Sequence, residues 1–495
     1  MIKIENKEFT FNNYVDSCIG TGRMGLALQK EYMDQLAFVQ KYIGFKHIRG
    51  HGLFSDDMAI YQERDFTKFG GEFMIDYNFT YLDLVMDGYK ALGIRPYLEL
   101  GFMPQKMASG DQTVFYWKGN VTPPKDYAAW QKLLKVTLEH LIDRYGLEEV
   151  LTWPVEVWNE PNLTVFWKDA SKEEYFKLFK ASFEAVKSVN ENFKVGGPAV
   201  CGGSDKEWIK AFLEFCDKED IKPDYISRHH YCTDQPKFEG HYGYANLLDP
   251  ENEEDGFPNL HSTREIIDSF PKFKGLEIHV TEFNTSYIPN CPLHDTNLNA
   301  AYIAHQLSRL GDDNVSYSYW TFGDIFEESG VPFTPFHGGF GLVANGVIPK
   351  PTFWTFVFFK KLKEQEYKCV YKDDDSVIVK FPNGEYRGIL WNRFKEGKEM
   401  SFEFPVDDYS FVSEICDEDT CNPLKVWHDM GEPSSLNDAQ KDILKRSAVP
   451  LIKSDRSDGK VSFEVKPNGV IYFSLEPKKI TPDRGYDYER VIGRK

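Results

Sequence analysis

The sequence is short of basic residues: 58 Lys and Arg stand against 77 Asp and Glu, which gives a formal net charge of −19. Such a surplus of carboxylates repels phosphate backbones and anionic membrane surfaces, so nucleic acid is not an expected partner. Cysteine is also scarce, with eight in 495 residues and no CxxC pair. This pattern indicates neither a zinc knuckle nor a disulfide framework, and we expect reduced thiols in a cytoplasmic protein.

Long apolar segments are missing as well. The first residues lack the apolar core of a secretion signal, and the apolar stretch 353–359 is far too short to span a bilayer. We therefore expect a soluble, unexported chain with no membrane partner. Its 41% apolar and 27% charged residues are ordinary for a globular protein.

Apolar runs alternate with amphipathic stretches over residues 12–364, in the βαβα order that requires parallel strands covered by helices. Eight such units favour a closed (β/α)8 TIM barrel over an open sheet, so the fold class is α/β. Gly93 and Gly146 are expected to end two of the helices, because glycine accepts the left-handed closing conformation. The predicted strands are 14–19, 47–51, 95–102, 155–160, 194–200, 225–231, 277–283 and 316–322.

The pattern changes after residue 364. Short alternating strands and two Pro-Asn-Gly turns predict a smaller antiparallel β-sandwich domain over 365–480. The N-terminal strand within 1–11 is assigned to this domain because no helix follows it, and 481–495 remains as a C-terminal tail. The turns are 382–384 and 467–469, the clearest predicted hairpin joins 461–465 to 470–475, and a helical patch is expected near 435–447.

Catalytic side chains of such a barrel lie at the carboxyl ends of its strands. The fourth predicted strand ends at Glu160, and Glu282 lies at the end of the seventh. Two carboxyls that face each other across a barrel mouth are what hydrolysis of a glycosidic bond needs, one as acid and one as nucleophile. Either glutamate alone would more simply be a surface or salt-bridged residue, whereas the pair indicates function.

Two interpretations stay open at this level. Asn159, beside Glu160, either hydrogen-bonds a sugar 2-hydroxyl or caps a strand end. The adjacent His229 and His230 invite a metal site, but neighbouring strand residues point to opposite faces and no third ligand is spaced to help. We predict neither a metal nor an organic cofactor.

Segments 158–162 (Trp-Asn-Glu-Pro-Asn) and 281–287 (Thr-Glu-Phe-Asn-Thr-Ser-Tyr) resemble the acid/base and nucleophile segments of the β-xylosidases of glycoside hydrolase family 39. The likeness covers nearly the whole chain, and it is specific because many segments match in order. The further segments are 20–23, 48–52, 118–124, 227–229, 319–322 and 336–341. The resemblance implies a retaining, exo-acting enzyme that removes terminal β-D-xylose from xylo-oligosaccharides by double displacement, in xylan degradation and carbohydrate metabolism.

Carried over to this chain, the resemblance makes Glu160 the expected general acid/base and Glu282 the expected nucleophile. An acid must hold its proton near neutral pH, so Glu160 needs an apolar or like-charged setting that raises its pKa. Trp158, Phe166 and Trp167 are placed to supply apolar surroundings. Glu282 must instead stay ionised through hydrogen bonds.

The resemblance also implies three groups of substrate-binding residues. The first lies beside the nucleophile on strand six, the second walls the subsite of the terminal sugar, and the third contacts sugar hydroxyls from loops after strands seven and eight. The alternatives are a barrel-core aromatic for the tryptophan and a solvated charge pair for the two glutamates. In order, the groups are His229 and Tyr231; Arg49, His51 and Trp320; and Tyr287, Glu327 and Glu328.

One conflict in this pattern predicts a local irregularity. Glu282 shares strand parity with Ile278 and Val280, which are expected to face the helices. A β-bulge within 279–282 would turn the catalytic side chain inward.

Two other functions remain open. A sister activity such as that of an α-L-iduronidase would need a cationic subsite for a substrate carboxylate, and a non-catalytic sugar-binding protein is possible on fold alone. The resemblance further implies a homo-oligomer such as a tetramer, with the basic tail 484–495 packed on a neighbour.

Overall fold

Eight parallel strands close into a barrel, and each strand pairs with the next along the chain. The computed structural model describes residues 1–5, 7–332, 334–477 and 485–495. The last strand pairs with the first, which confirms the predicted TIM barrel. The strands are β1 (Cys18–Thr21), β2 (His47–Gly50), β3 (Arg95–Leu100), β4 (Val155–Val157), β5 (Val195–Val200), β6 (Tyr225–Tyr231), β7 (Glu277–Asn284) and β8 (Ser316–Tyr319).

Helices cover the outside of the barrel, one after each strand. Asp126 and Ser171 cap the third and fourth helices, since each side chain accepts a hydrogen bond from a first-turn backbone N–H. Gly93 (φ +69°) and Gly146 (φ +89°) follow the second and third helices, each with a positive φ that glycine adopts readily; Gly146 has an extended ψ of 145° rather than the predicted left-handed closing conformation. The helices are α1 (Lys30–Tyr42), α2 (Thr80–Ala91), α3 (Tyr127–Tyr145), α4 (Lys172–Val189), α5 (Asp205–Lys218), α6 (Phe257–Asp268), α7 (Asn297–Arg309) and α8 (Pro351–Lys361).

Four strands (β2, β3, β4 and β8) end earlier than predicted, at the side of the barrel that carries the candidate site, and β4 and β8 are shortened most. β4 stops at Val157, and Trp158 and Glu160 then adopt positive φ values of +73° and +44°. Left-handed backbone is costly for side-chain-bearing residues and is found where the surroundings hold it for function. The turn carries Asn159 and Glu160 over the barrel mouth. β8 similarly stops at Tyr319, one residue before Trp320.

The predicted bulge is present in β7. Along the β6–β7 ladder Arg228 pairs with Val280, but the next residue, His229, pairs with Glu282. Thr281 is therefore the extra residue, and it reverses the side-chain alternation so that Glu282 points into the barrel.

The second domain is a sandwich of a larger and a smaller sheet, as the antiparallel pattern predicted. The Asn-Gly turn at 382–384 forms the expected hairpin, which joins the strands Ser376–Lys380 and Tyr386–Trp391. The strands of the larger sheet, in spatial order, are β9 (Lys368–Lys372), β10 (Ser376–Lys380), β11 (Tyr386–Trp391), β16 (Val470–Glu476), β13 (Tyr409–Cys416) and β14 (Leu451–Ser457). The smaller sheet contains the N-terminal strand Ile2–Lys3, β12 (Lys398–Glu403) and β15 (Lys460–Val465).

The predicted hairpin between 461–465 and 470–475 is wrong. β15 pairs with β12 in the smaller sheet, whereas β16 lies between β11 and β13 in the larger one. The burial patterns explain the separation. β15 alternates buried and exposed residues and has a solvent face, but β16 is buried at almost every position and needs a central place. The turn at 467–469 therefore crosses between the two sheets.

The barrel and the sandwich share apolar contacts. Phe358 of α8 stacks on Tyr472 of β16 with ring centroids 5.6 Å apart. Trp354 of α8 adds a hydrogen bond from its indole N–H to the carbonyl of Ala448, at 2.6 Å. Two further helices, α9 (Pro423–Asp429) and α10 (Asp438–Ser447), lie beside this junction, the second inside the predicted helical patch. α8 ends at Lys361 and β9 begins at Lys368.

The C-terminal tail predicted over 481–495 lies in part outside the described residues, as does the end of the 365–480 domain. Residues 485–495 include a short helix, Tyr488–Val491. Within the described ranges every helix is too short or too polar to cross a lipid bilayer.

Candidate active site

A cavity of about 880 Å³ opens at the carboxyl ends of the barrel strands. Glu160, from the turn after β4, and Glu282, near the end of β7, both line it. Their side chains are almost completely buried, with relative exposures of 6% and 4%. The structure therefore brings the two predicted catalytic residues to one chamber.

Glu282 is held by hydrogen bonds at both carboxylate oxygens. Arg49 Nη1 donates to Oε1 at 2.7 Å, and the hydroxyl of Tyr231 donates to Oε2 at 2.7 Å. Burial raises the pKa of Glu282, while the charge of Arg49, the nearby His51 and the Tyr231 hydrogen bond act in the opposite direction. Burial raises the pKa of Tyr231 far above its usual value, so its hydroxyl keeps the proton that it donates.

Glu160 lies in a different environment. Burial, followed by the negative charge of Glu282, raises its pKa to about 8. Its Oε1 is 2.7 Å from Nδ1 of His229. Burial and the neighbouring cations hold the pKa of His229 well below its usual value, so this ring is neutral. Glu160 is thus a carboxyl group that retains its proton at neutral pH.

The aromatic residues that follow β4 shape the site beneath Glu160. Trp158 packs edge-on against Trp167 with ring centroids 4.9 Å apart, and its indole N–H donates to the carbonyl of Phe166 at 2.8 Å. Phe166 lines the cavity and packs on Phe115 from the loop after β3. These contacts form the apolar wall expected from the sequence.

Arg49 of β2 contacts both Glu282 and Asn159, the neighbour of Glu160. It is fully buried, and besides Glu282 it donates to Glu156 Oε2 at 2.5 Å and to Asn159 Oδ1 at 2.9 Å. Because the oxygen of Asn159 is engaged by Arg49, its amide NH₂ is the group left for a sugar hydroxyl. Arg49 itself is absent from the cavity lining and contacts the residues that form it.

The remaining predicted wall residues divide into two groups. His51, Trp320, Tyr287 and Glu328 line the cavity together with His229 and Tyr231. Glu327 lies outside the lining and pairs with Arg23 at 2.7 Å.

Trp320 packs on His51 with ring centroids 4.7 Å apart. A Cβ added to Gly20 would lie 2.6 Å from the Trp320 ring, so only glycine fits beneath it. Glu328 lies 3.8 Å from His51, and burial together with the other carboxylates raises its pKa well above the usual range.

One atom each from Glu160, His229 and Glu282 lie within 4.8 Å of one another, close enough to form a ligand set for a metal ion. The prediction that His229 has no third ligand nearby is therefore wrong, because the bulge and the left-handed turn bring both glutamates to it. Hydrogen bonds from Tyr231 and Arg49 already engage both oxygens of Glu282. Arg49 also supplies there the positive charge that a metal would bring.

Three residues of the site escaped the sequence reasoning. Glu99 of β3 is fully buried, hydrogen-bonds His51 and forms an ion pair with Arg49. Glu156 of β4 is the other buried partner of Arg49. Cys201, after β5, lines the cavity near Glu160. Glu99 could have been noticed in the sequence as a charged residue inside the apolar strand 95–100, because a carboxylate buried in a strand requires a partner.

A closed (β/α)8 barrel with two buried carboxyls paired across its mouth defines a class of enzyme, the barrel glycoside hydrolases, which act on sugar substrates. The family model for "Glycosyl hydrolases family 39" matches residues 1–394. The chain belongs to glycosyl hydrolase family 39, as the sequence resemblance indicated, and is a glycoside hydrolase.

Individual relatives agree with this assignment. The chain is 48% identical to a beta-xylosidase of Geobacillus stearothermophilus over 92% of this chain and 89% of that protein. It is 33% identical to a beta-xylosidase of Caldicellulosiruptor saccharolyticus over 94% and 93%. The crystal structure of a monomeric beta-xylosidase from Caulobacter crescentus CB15 superposes with a TM-score of 0.86 at 29% identity, covering 97% of this chain and 99% of that one.

Proposed function

We propose that the protein is a retaining, exo-acting β-xylosidase that removes terminal β-D-xylose from xylo-oligosaccharides. Both curated relatives described above carry the name beta-xylosidase. The observation that carries the mechanism is the spacing of the two carboxyls, with a Glu160 oxygen and a Glu282 oxygen within 4.8 Å. Retaining glycosidases hold these groups about 5–5.5 Å apart, whereas inverting enzymes need about 6.5–9.5 Å to admit a water.

The reaction proceeds in two displacements. In the first, a carboxylate oxygen of Glu282 bonds to the anomeric carbon as the bond to the leaving oxygen breaks, and Glu160 gives that oxygen its proton. In the second, Glu160 accepts a proton from water, whose oxygen bonds to the anomeric carbon and displaces Glu282. Neither displacement needs a metal or an organic cofactor.

The groups around Glu282 support its role as nucleophile. Arg49 and Tyr231 each donate to a different carboxylate oxygen and favour the anion before attack. Asn159, held by Arg49, offers its amide to the sugar 2-hydroxyl, a contact that strengthens as the ring gains positive charge. The terminal sugar would occupy the end of the cavity walled by His51, Trp320 and Glu328.

The charges of the cavity favour a neutral sugar over a uronic acid. Arg228 is the one Lys or Arg among the described lining residues, and it is engaged by Asp205 at 2.6 Å. Several carboxylates also face the chamber, among them Asp234, Glu254 and Asp255. A substrate carboxylate such as that of an α-L-iduronide would meet repulsion rather than a cationic subsite.

The stereochemistry of the first product tests the proposal. Proton NMR during hydrolysis of an aryl β-xyloside is expected to show β-xylose first, with the α anomer growing only as mutarotation proceeds. An initial α anomer would demonstrate inversion and refute the double displacement. An aryl α-L-iduronide, run in parallel as the comparison substrate, is expected to release no aglycone.

The pH dependence follows from the environment of Glu160. The first displacement needs its proton, and burial beside Glu282 raises its pKa to about 8. We therefore expect kcat/KM for substrates with poor leaving groups to be sustained at neutral pH and to fall as the pH rises through about 8. A pH profile that declines only above pH about 10, where tyrosine and lysine titrate, would contradict this assignment of the acid.

We also propose a cytoplasmic homo-oligomer. All eight cysteines are free thiols, as a reducing compartment favours. Large apolar side chains are exposed in the described part of the tail, where Tyr486, Tyr488 and Val491 are each at least 60% exposed. Contact with a neighbouring subunit would cover them.

A further inference from the structure

Glu99 is a buried carboxylate beneath the site that does not reach the cavity. It lies on β3, its relative exposure is 0%, and it is absent from the cavity lining. In the barrel ladder it pairs in register with Glu156 of β4. The two glutamates are neighbours on adjacent strands, and both bind Arg49.

Only Glu99 also binds the histidine that lines the sugar chamber. A single oxygen, Glu99 Oε2, lies 2.8 Å from His51 Nδ1 and 2.9 Å from Arg49 Nη2. His51 and Arg49 both also lie close to one oxygen of the nucleophile, Glu282 Oε1. Arg49 Nη1 is 2.7 Å from Glu282 Oε1, and His51 Nε2 is 3.7 Å from it.

The aromatic packing of His51 does not fix which edge of its ring faces the sugar. Phe102 and Phe115 stack on the imidazole with interplanar angles of 22° and 21°. Such contacts are compatible with a half-turn of the ring about its Cβ–Cγ bond. The hydrogen bond to Glu99 distinguishes the two orientations, because it needs Nδ1 on the barrel side and as the protonated nitrogen.

We propose that Glu99 is a positioning residue of the glycosidase reaction: through one carboxylate oxygen it orients both His51 and Arg49 toward the nucleophile Glu282. The proposal rests on the proposed function for its kinetic test. With Nδ1–H bonded to Glu99, His51 presents Nε2 to the sugar chamber, between Glu282 and Glu328 at 3.7 and 3.8 Å. The ion pair with the same Glu99 oxygen orients the guanidinium of Arg49, which binds Asn159 and Glu282.

The charge of Glu99 has a second effect, on the acid. It contributes to the raised pKa of Glu160, after burial and the charge of Glu282. Removing the charge should therefore lower the pKa of Glu160. The other titratable groups that face Glu160 or Glu99 are Arg49 on β2, His51 directly after β2, Glu156 on β4, Cys201 after β5, His229 and Tyr231 on β6, and Glu328 after β8.

Glu99→Gln and Glu99→Leu separate the two effects. Glutamine keeps an oxygen that can accept from His51 and Arg49 but has no charge, whereas leucine fills the space without an acceptor. On an aryl β-xyloside we expect kcat to fall about 10-fold for Glu99→Gln and about 100-fold for Glu99→Leu, the range found when a group that orients a contact residue is lost. KM should change less than kcat, because neither variant removes a group that touches the sugar.

Glu156→Gln is the matched control, since it neutralises the other buried partner of Arg49 and leaves His51 untouched. We expect the basic limb of the kcat/KM profile to move to lower pH in Glu99→Gln, and to stay closer to the wild-type position in Glu156→Gln. Equal rates and equal pH profiles for the two glutamine variants would overturn the proposal, as would full activity in Glu99→Leu.

A spectroscopic readout needs no substrate. In ¹⁵N-histidine-labelled protein, with a His51→Asn variant to assign the signal, His51 should carry its proton on Nδ1, and Glu99→Leu should shift this signal. A wild-type His51 protonated on Nε2 alone overturns the proposal. Failure of the wild-type enzyme to cleave the xyloside refutes the proposed function instead, and the NMR result then decides the role of Glu99 independently.

Discussion

Glu282→Ala is expected to lower kcat/KM for an aryl β-xyloside by 10⁴-fold or more, an order of magnitude typical of enzymes that lose a covalent nucleophile. The neighbouring carboxyls are poorly suited to replace it: Glu328 also lines the cavity, but burial and the other carboxylates raise its pKa well above the usual range, so it keeps its proton. Glu160 lies across the chamber, and Glu99 and Glu156 lie outside the cavity lining. The measurement is a steady-state assay on the purified variant, with thermal unfolding as the check on folding.

The fold should tolerate this change. Arg49 retains Glu99 and Glu156 as partners, and one of several crowded negative charges is removed. We expect the free energy of unfolding to change by no more than about 2 kcal/mol, because an ion pair with other partners remaining is not broken outright. Glu277→Ala is the matched control. It removes a glutamate from the other end of the same strand, where the side chain is 63% exposed, and should leave turnover intact.

Azide gives this experiment a stereochemical readout. In Glu282→Ala a small anion can enter from the vacated side and displace the activated aryl group, and it should yield the α-xylosyl azide. Appreciable turnover without azide, or a β-xylosyl azide from this variant, would contradict the assignment of Glu282 as nucleophile.

The barrel could be predicted from the sequence because its determinants are local. Each apolar strand and each amphipathic helix shows its period within about a dozen residues, and Gly93 and Gly146 mark helix ends directly. The bulge in β7 was predictable for a related reason, because a catalytic side chain on the wrong parity had to be turned inward.

The failure at 461–475 has the opposite cause. An Asn-Gly turn between two apolar strands is the strongest local signal for a hairpin, yet here the turn joins strands of two different sheets. The assignment of β15 and β16 to different sheets depends on which neighbours can bury each face. Such burial is a property of the assembled sandwich and has no local sequence signature.

The two catalytic carboxyls could be predicted from the sequence, but the contacts that hold them in place could not. Glu160 and Glu282 could be found because the sequence places them at the carboxyl ends of predicted strands, and the chemistry of such a barrel is confined to that side. Arg49 on β2 contacts residues of β3, β4 and β7, and these contacts exist only when the barrel is closed. For the same reason Glu327 and Glu328 could not be distinguished. One turns to Arg23 and the other to the cavity, a difference set by loop conformation.

Glu160→Ala should separate substrates by their leaving groups. Without the acid, kcat/KM for xylobiose or an alkyl xyloside is expected to fall by about 10³–10⁴-fold, because the leaving oxygen needs a proton. A dinitrophenyl xyloside departs without one, so its first displacement should proceed at a rate near that of the wild type. Its second displacement lacks the base, and the glycosyl-enzyme should accumulate as a burst of released phenol with a lowered KM.

Glu160→Gln supplies the matched control, since it also lacks the acid but fills the space of the carboxylate. Azide should accelerate turnover of the dinitrophenyl xyloside in Glu160→Ala, where it can approach the intermediate and form the β-xylosyl azide, and much less in Glu160→Gln. The basic limb near pH 8 should disappear from the first displacement in both variants, because the group that titrates there has been removed. Equal losses on xylobiose and the dinitrophenyl xyloside would show that Glu160 does not protonate the leaving group, and an unchanged basic limb would assign that titration to another residue.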